Sequence, residues 1–370
     1  MNARVPAATA DPSAALARVR ASVRQHPAYH VTPRAAARKL NQNESPWDLP
    51  AELKREVLAR WEALPWNRYP ELVPHHLVAR IAARAGWVPE GTIVGCGSND
   101  LLMGALLATV EAGAPVVAPV PSFGLYHIVT ELLGGRHVGV PLTERFAYDV
   151  DALLAAARRE GAGVLILCAP NNPTGTPLPA DAVARALAET EALVFCDEAY
   201  LEFGGGSALP LLPAHPRLVI FRTFSKALGL AGLRLGYALG HPALMAELAK
   251  ARLPYNVNAL TVAAVEAALD HEELLAERVR LVAAERERLT TALGALPGLE
   301  TWPSLANFVL VRARGRGAEL FRRLHAEHGI LVRDVSTQPL LADCLRITVG
   351  TPDDTEALVD ALRRILGGTR

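Results

Sequence analysis

The sequence predicts an α/β protein: a large domain with a mostly parallel sheet covered by helices on both faces, and a smaller α+β domain. Between residues 92 and 240, short apolar segments alternate with segments rich in Ala and Leu at helical spacing. Beyond residue 300 the pattern changes to short strands and two helices. With 370 residues and 51% hydrophobic composition, the chain is long enough for two domains. We predict that residues 46–270 form the large domain, and that residues 1–45 and 271–370 form the small one.

Each predicted strand is a short apolar run bounded by Gly, Pro or polar residues. In the large domain these runs cover residues 92–97, 115–120, 137–142, 164–169, 193–196, 218–223 and 235–239. Between them, helical spacing is clearest over residues 100–110, 151–159 and 180–190. A helical tract over 262–296 leads to strand 306–311, helix 318–328, strands 329–332 and 345–349, and helix 354–366. Apolar strands that alternate with helices favour a parallel sheet that is buried on both faces.

Charge and composition argue against several classes of protein. The chain carries 38 basic and 38 acidic residues, so it lacks the basic excess of proteins that bind nucleic acids or membrane surfaces. No apolar stretch reaches membrane-spanning length, and the first 25 residues lack the apolar run of a secretory signal. The four cysteines lie far apart in apolar segments, which favours buried thiols over metal ligands or disulfides: Cys96, Cys168, Cys196 and Cys344. We therefore expect a cytoplasmic protein without a bound metal.

One of the four lysines stands at the end of a predicted strand. Lys226 follows the apolar run 218–221 and precedes a Gly-rich segment. Ligands of α/β proteins bind at the carboxyl ends of strands, and a lysine there can form a Schiff base with an aldehyde cofactor. The Ser225 hydroxyl and the Arg234 guanidinium are suited to hold a phosphate beside it. The alternative interpretation of Lys226 is a solvated surface lysine.

A carboxylate ends another apolar run. Asp197 follows the run 193–196, and Tyr200 lies three residues further on. A buried carboxylate needs a partner, because an unpaired buried charge is costly. A protonated pyridine nitrogen would serve, and Tyr200 could donate a hydrogen bond to the phenolic oxygen of such a ring. The alternative is an ordinary strand-end aspartate that caps a turn.

Other polar and aromatic residues also follow predicted strands. Asn172 precedes a proline, which restricts its backbone and directs its amide, although the segment can also be a simple turn. The segment 95–100 enters a helix, so the backbone N–H groups of Ser98 and Asn99 are available to a phosphate. Phe123 can stack on a planar ring.

Together these segments resemble the fold type I aminotransferases, which use pyridoxal 5′-phosphate (PLP). The resemblance extends over residues 40–366, and its most specific motifs are Asn172-Pro173-Thr174-Gly175, Asp197-Glu198-Ala199-Tyr200 and Ser225-Lys226 with Arg234. It implies that Lys226 binds the cofactor aldehyde and carries protons during catalysis. It also implies a cis peptide bond before Pro173, as is frequent in this fold.

The resemblance assigns further residues to the cofactor. Asp197 would pair with the pyridine nitrogen, and Asn172 and Tyr200 would contact the phenolic oxygen. The remaining implied contacts are Ser98, Asn99, Ser225 and Arg234 at the phosphate, Phe123 over the ring, Thr223 as a further contact, and Tyr69 from the neighbouring subunit. Sharing Tyr69 in this way implies an obligate homodimer with shared active sites.

Within this fold, the chain looks most like the histidinol-phosphate aminotransferases. The motifs that carry this resemblance are residues 40–46, 68–70, 329–334 and 344–350. It implies that Arg346 binds the α-carboxylate of glutamate and, in the other half-reaction, the phosphate of histidinol phosphate. Arg333 would assist at the distal anion. Asn43 and Tyr29 are the other implied substrate contacts, with Arg34 in place of Tyr29 in an alternative register.

Three other functions remain open from the sequence. An aromatic or broad-specificity aminotransferase would need a similar pocket, and a threonine-phosphate decarboxylase shares the architecture. The third is a PLP-binding regulator without catalysis, but such a protein usually carries a DNA-binding domain. This chain has neither spare length nor a basic patch for one.

Overall fold

The computed structural model describes residues 11–26 and 35–367. Its strands are β1 Arg38–Lys39, β2 Thr92–Gly95, β3 Pro115–Val120, β4 Arg136–Pro141, β5 Val164–Cys168, β6 Leu193–Asp197, β7 Leu218–Thr223, β8 Gly236–Gly240, β9 Glu300–Thr301, β10 Phe308–Arg312, β11 Ile330–Leu331, β12 Arg333–Asp334 and β13 Cys344–Thr348.

Its helices are α1 Ser13–Leu16, α2 Ala21–Arg24, α3 Ala51–Glu62, α4 His75–Ala85, α5 Ser98–Thr109, α6 Leu125–Leu132, α7 Val150–Glu160, α8 Ala182–Glu189, α9 Pro242–Leu248, α10 Ala259–Leu269, α11 Glu272–Gly294, α12 Gly317–His328 and α13 Pro352–Gly367. Five short 3₁₀ turns complete these elements: Pro89–Gly91, Leu201–Phe203, Leu209–Ala214, Ala231–Leu233 and Ala249–Ala251. Across the two described ranges, no helix is long and apolar enough to cross a membrane.

Seven strands form the main sheet, in the order β2-β8-β7-β6-β5-β3-β4. All of them run parallel except β8, which is antiparallel to both of its neighbours. Cys168 at the end of β5 pairs with Asp197 at the end of β6, and Asp197 pairs with Phe221 near the end of β7. The carboxyl ends of these three strands therefore lie side by side, where ligands of such sheets bind.

Both faces of this sheet are covered, as the apolar strands predict. Along β5, Leu165 and Leu167 pack into one hydrophobic cluster, whereas Ile166 and Cys168 pack into another. This alternation follows from the two-residue period of a strand. Residues of α4, α7 and α8 belong to the first cluster and residues of α5, α6 and α9 to the second. The predicted α/β fold class is confirmed.

A second, antiparallel sheet follows in the order β12-β13-β10-β9. The N-terminal chain lies beside it: β1 pairs with β11 in a separate two-stranded sheet, and the backbone of Leu40 bonds to Leu331 and to Thr348 of β13. Residues 41–44, which we call the N-terminal strap, then pass from this sheet towards the main one. The predicted domain boundaries, residues 46–270 against 1–45 with 271–370, stay a prediction.

Two of the differences from the sequence-based expectation have a clear physical reason. The helical tract 262–296 consists of two helices, because the chain turns between α10 and α11, where Arg60 and Arg80 bind the Asp270 carboxylate. The prediction that Cys96 is a buried thiol is wrong. Strand β2 ends at Gly95, and Cys96 lies exposed in the turn that follows. The backbone N–H of Cys96 donates to the Asp100 carboxylate. Cys168, Cys196 and Cys344 are buried as predicted.

A buried ion pair fixes the end of β6. The Glu198 side chain is fully buried and receives hydrogen bonds from Arg222 on β7, the Ser207 hydroxyl and the Ala208 N–H. Arg222 in turn donates to the Ser207 hydroxyl at 2.8 Å. Because every donor in this network has an acceptor, the buried charges are compensated.

Replacing Glu198 with Ala should strongly destabilise the fold, because it leaves the Arg222 guanidinium buried without its carboxylate. We expect the free energy of unfolding to fall by roughly 3–5 kcal/mol in urea titrations. The matched control is Asp360→Ala, which removes the carboxylate of an exposed Arg363 pair and should leave stability close to wild type. If the free energy of unfolding fell equally in the two variants, the buried Glu198 network would stabilise the fold no more than an exposed ion pair does.

Candidate active site

A cavity of about 570 Å³ lies at the carboxyl ends of the central strands. The N-terminal strap and residues of β12 and β13 form its other walls. Thirteen of the predicted site residues line it: Asn43, Ser98, Asn99, Phe123, Asn172, Asp197, Tyr200, Thr223, Ser225, Lys226, Arg234, Arg333 and Arg346. Segments as far apart in sequence as Asn43 and Arg346 thus meet in one place, as expected for a site at strand ends.

Lys226 presents a buried amine to this cavity. Strand β7 ends at Thr223, whose hydroxyl accepts a hydrogen bond from the Ser225 N–H and so turns the chain. The Lys226 Nζ donates to the Gln42 carbonyl of the strap at 2.9 Å. Burial, assisted by the positive charge of Arg346, lowers the pKa of Lys226 from 10.5 to about 7. A large share of the amine is therefore neutral and nucleophilic at physiological pH.

Asp197 presents a buried carboxylate. Its Oδ2 accepts a hydrogen bond from the Tyr126 hydroxyl at 2.6 Å, and its Oδ1 accepts one from the Ala199 N–H at 3.1 Å. Burial raises the pKa of Asp197, whereas these two donors oppose that rise. A cationic group in the cavity beside Asp197 would compensate the carboxylate better than neutral donors can.

Amide and hydroxyl groups line the wall between Asp197 and the strap. The Tyr200 hydroxyl accepts hydrogen bonds from the amides of Asn43, at 2.9 Å, and Asn172, at 3.4 Å. Burial raises the pKa of Tyr200 to about 12, so its hydroxyl keeps its proton. The peptide bond before Pro173 is cis, as the family resemblance implies. The Asn172 side chain hydrogen-bonds on both sides: its amide nitrogen donates to the Tyr200 hydroxyl, and its Oδ1 accepts from the Arg346 guanidinium at 2.7 Å.

The start of α5 and the Arg234 guanidinium form another part of the cavity wall. Helix α5 begins at Ser98, and its first backbone N–H groups have no acceptor within the helix. The Arg234 guanidinium donates to the Ser225 hydroxyl at 3.3 Å and lies against Gly97, where a Cβ would approach its Nη2 to 2.6 Å. Gly97 also has a φ of +88°, which favours glycine. Gly236 allows equally close approach, since a Cβ there would lie 2.2 Å from the Ser98 nitrogen.

Two arginines form the remaining wall. Arg346 on β13 and Arg333 on β12 are register partners in the small sheet. Arg346 donates to Asn172 and, at 2.8 Å, to the Asn41 carbonyl, and its guanidinium lies over the Phe308 ring. These contacts orient a planar fork that can bind a carboxylate or a phosphate in bidentate fashion.

The donor set fits a cofactor that combines an aldehyde, a cationic ring and a phosphate. An amine, a buried carboxylate and an N–H-rich helix start lie in one cavity, with Phe123 on its wall. Within residues 11–26 and 35–367, no group of three or more His, Cys, Asp and Glu side chains is arranged as a metal site.

Sequence reasoning missed two groups that act on the site. Tyr126 lies on α6, three residues after Phe123, and only the helical register of that segment could have indicated its position. The Gln42 carbonyl is a backbone group and leaves no signature in the sequence. Tyr69 does not line this chain's cavity: it is 81% exposed and stacks on Tyr255. Tyr29 and Arg34 lie outside the described residues.

Comparison with known proteins identifies the family of the chain. The family model for aminotransferase class I and II matches residues 37–362. The histidinol-phosphate aminotransferase of Chlorobaculum tepidum is 40% identical over 328 residues, which cover 88% of this chain and 94% of that protein. A crystal structure of histidinol-phosphate aminotransferase from Sinorhizobium meliloti, in complex with pyridoxal-5′-phosphate, has a TM-score of 0.85 and 30% identity, over 95% of this chain and 98% of that one.

A more distant match concerns the fold alone. The L-threonine-O-3-phosphate decarboxylase of Porphyromonas gingivalis has a TM-score of 0.77 at 24% identity, over 89% of this chain and 99% of that one. Fold similarity at this distance does not determine the reaction. With a family model over nearly the whole chain and curated relatives at 40% identity, the chain belongs to the class I and II aminotransferases and, among them, to the histidinol-phosphate aminotransferase family.

Proposed function

We propose that the chain is a PLP-dependent aminotransferase that converts imidazole-acetol phosphate and L-glutamate to L-histidinol phosphate and 2-oxoglutarate, in histidine biosynthesis. One observation carries the proposal: the Lys226 amine, with its pKa near 7, shares a cavity with the paired arginines Arg333 and Arg346. An amine nucleophile beside two anion-binding groups suits the exchange of an amino group between anionic substrates.

The residues that would hold PLP follow from their chemistry. Lys226 would bind the aldehyde, Asp197 the pyridine nitrogen, and Asn172 with Tyr200 the phenolic oxygen. Ser98, Asn99, Thr223, Ser225 and Arg234 would surround the phosphate, with Phe123 against the ring. When bound, PLP supplies an electron sink, whose strength depends on the ring nitrogen remaining protonated.

Lys226 is also suited to proton transfer. Its Nζ has a pKa near the pH of the cell interior, where a general base transfers protons most effectively. It can therefore take a proton from the α-carbon of the substrate and return it within the same site. The Gln42 carbonyl, 2.9 Å away, orients the amine within the cavity.

Arg346 would bind the anion next to the reacting carbon in both half-reactions. That anion is the α-carboxylate of glutamate in one half-reaction and the phosphate of histidinol phosphate in the other. A guanidinium can donate two parallel hydrogen bonds to the oxygens of either group. Arg333 would contact the distal group, together with Asn43 and, in the segment outside the described residues, Tyr29.

The same proposal includes a cytoplasmic homodimer with shared active sites. Tyr69 and Tyr255 form a stacked pair at the surface, with ring centroids 4.6 Å apart, and Trp66 and Leu253 are 65% and 73% exposed. Exposed aromatic and aliphatic groups of this kind suit a subunit interface. Tyr69 would then reach the cofactor phosphate of the neighbouring subunit.

A substrate panel tests the reaction directly. Amino-group transfer to 2-oxoglutarate should be much faster from L-histidinol phosphate than from phenylalanine or tyrosine. L-threonine phosphate should give no carbon dioxide. Faster transfer from an aromatic amino acid would favour the broad-specificity alternative, and release of carbon dioxide would favour the decarboxylase.

The rate at which the apoprotein captures PLP should depend on pH through Lys226. Because burial lowers the pKa of this amine to about 7, the nucleophilic neutral form dominates above pH 7 and is lost as the pH falls. We expect capture, measured by absorbance, to slow about tenfold per pH unit below 7 and to level off above it. Borohydride trapping and peptide mapping should find the pyridoxyl group on Lys226. A rate still rising at pH 9, or a label on Lys39, Lys54 or Lys250, would contradict this assignment.

Arg346→Lys should weaken both half-reactions, because lysine replaces a bidentate fork with a point charge. We expect kcat/KM to fall by the equivalent of roughly 2–4 kcal/mol for glutamate and for histidinol phosphate alike, in single-turnover measurements. Arg333→Ala should impair one of the two substrates more than the other. The matched control is Arg312→Lys, a partly buried arginine of the neighbouring strand β10 that does not line the cavity. Damage by Arg346→Lys to one half-reaction alone would place the two anions at separate sites.

Mixing two inactive variants should restore activity if Tyr69 acts across the dimer. A heterodimer of Tyr69→Ala and Lys226→Ala protomers contains one site in which both residues are intact. The control mixture, Lys226→Ala with Asp197→Asn, should stay inactive, because both residues line the same chain's cavity. Absence of recovery in verified Tyr69–Lys226 heterodimers would mean that the two residues serve the same subunit's site.

A further inference from the structure

Tyr126 occupies a position that the proposed reaction does not explain. It lies in the first turn of α6 and is 1% exposed. Its hydroxyl donates to the Asp197 Oδ2 at 2.6 Å. Within the described part of the chain, it is the one side chain that hydrogen-bonds to Asp197, and the other donor is the backbone N–H of Ala199. The Tyr126 hydroxyl is therefore the donor to one carboxylate oxygen, Oδ2, and the Ala199 N–H is the donor to the other, Oδ1.

Lys226, Arg234, Arg333 and Arg346 line the same cavity, but within the described residues no cationic side chain donates a hydrogen bond to Asp197 in place of this hydroxyl. The titratable groups that face it are Glu198, Cys168, Cys196, Tyr148 and Tyr200. Glu198 is already paired with Arg222. Burial raises the pKa of both thiols and of both tyrosines, so all four stay neutral. Asp197 thus depends on neutral donors to remain ionised.

Tyr126 is itself a dependable donor. Burial raises its pKa well above 10, so the hydroxyl keeps its proton at physiological pH. Its ring lies edge-on to Phe123, at 5.6 Å between centroids. Phenylalanine at position 126 would keep the ring in this contact and remove only the hydroxyl.

We propose that Tyr126 is a positioning residue that keeps Asp197 ionised and directed into the cavity, and thereby sets how strongly the site binds a cationic pyridine ring. The inference rests on the proposed function, because the ring is that of PLP. Each oxygen of Asp197 uses one lone pair for its donor, and the second remains available to a cation in the cavity. Without the hydroxyl, burial favours the protonated carboxyl, which cannot pair with a pyridinium.

The test uses pyridoxamine 5′-phosphate, which lacks an aldehyde and so does not bond to Lys226. Its dissociation constant is measured by calorimetry with wild-type protein and Tyr126→Phe between pH 6 and 8.5. Loss of the hydroxyl raises the pKa of Asp197, so the carboxyl takes up a proton as the pH falls. We expect Tyr126→Phe to bind about tenfold more weakly at pH 6, and the difference to shrink as the pH rises and Asp197 ionises again.

Three controls separate this role from a structural one. An analogue with carbon in place of the ring nitrogen carries the same phosphate but no pyridinium, and Tyr126→Phe should bind it as wild type does. Tyr148→Phe removes the hydroxyl of another fully buried tyrosine, which donates to the Cys168 carbonyl instead, and should not change the pH dependence. In an Asp197→Asn background, Tyr126→Phe should have no further effect.

The outcomes are distinct. If wild-type protein binds pyridoxamine phosphate and Tyr126→Phe binds it equally at every pH, the inference is wrong and the proposed function stands. If Tyr126→Phe weakened the binding of the analogue without ring nitrogen as much as that of pyridoxamine phosphate, the inference would also be wrong. The hydroxyl would then affect binding through the packing of the cavity wall, and not through Asp197. If the wild-type protein itself does not bind pyridoxamine phosphate, the proposed function fails together with the inference. Preserved kcat/KM for glutamate in Tyr126→Phe at pH 6 would equally contradict it.

Discussion

Two adjacent carboxylates at the end of β6 impose the constraint on which the rest of the site depends. Both are buried, and a buried charge is stable only when it is compensated. Glu198 points away from the cavity and is compensated within the protein, by Arg222 on the next strand. Asp197 points into the cavity and receives two neutral hydrogen bonds. The Glu198 pair stabilises the fold. Among the residues that the structure describes, the Asp197 carboxylate is left without a cationic partner, and a cationic ligand can supply one.

The N-terminal strap completes the site by joining the two sheets. Asn41 and Gln42 present successive carbonyls to Arg346 and Lys226, and Asn43 donates to Tyr200. The strap is held by the small sheet through Thr348, whose hydroxyl accepts a hydrogen bond from the Asn43 N–H. Backbone carbonyls of the strap thus orient the side chains of Lys226 and Arg346, which lie 184 and 305 residues further along the chain. A movement of the small sheet would therefore shift the strap and change the position of the Gln42 carbonyl that orients the Lys226 amine.

The positions at the ends of buried strands were predictable, because a polar residue after an apolar run marks the point where a strand meets the edge of the sheet. Lys226, Asp197 and Asn172 were identified in this way, and they line one cavity. Tyr126 and the Gln42 carbonyl were not predictable, since their roles depend on how α6 and the strap pack against strands distant in sequence. The prediction of a buried Cys96 fails because apolar composition does not show where a strand ends. Here β2 stops at Gly95, and the Cys96 N–H donates to the Asp100 carboxylate instead of to a neighbouring strand.

The charge of the cavity differs from that of the whole molecule. The chain has no net charge, yet among the residues that the structure describes the cavity is lined by Lys226, Arg234, Arg333 and Arg346, against the carboxylates of Asp197 and Glu44. Positive potential concentrated in a concave, weakly screened site attracts anions from solution and accelerates their encounter. The association rate of doubly charged phosphate esters should therefore depend steeply on ionic strength, while uncharged analogues arrive at the ordinary diffusional rate. A neutral protein can in this way select its ligands by charge before any of them makes a contact.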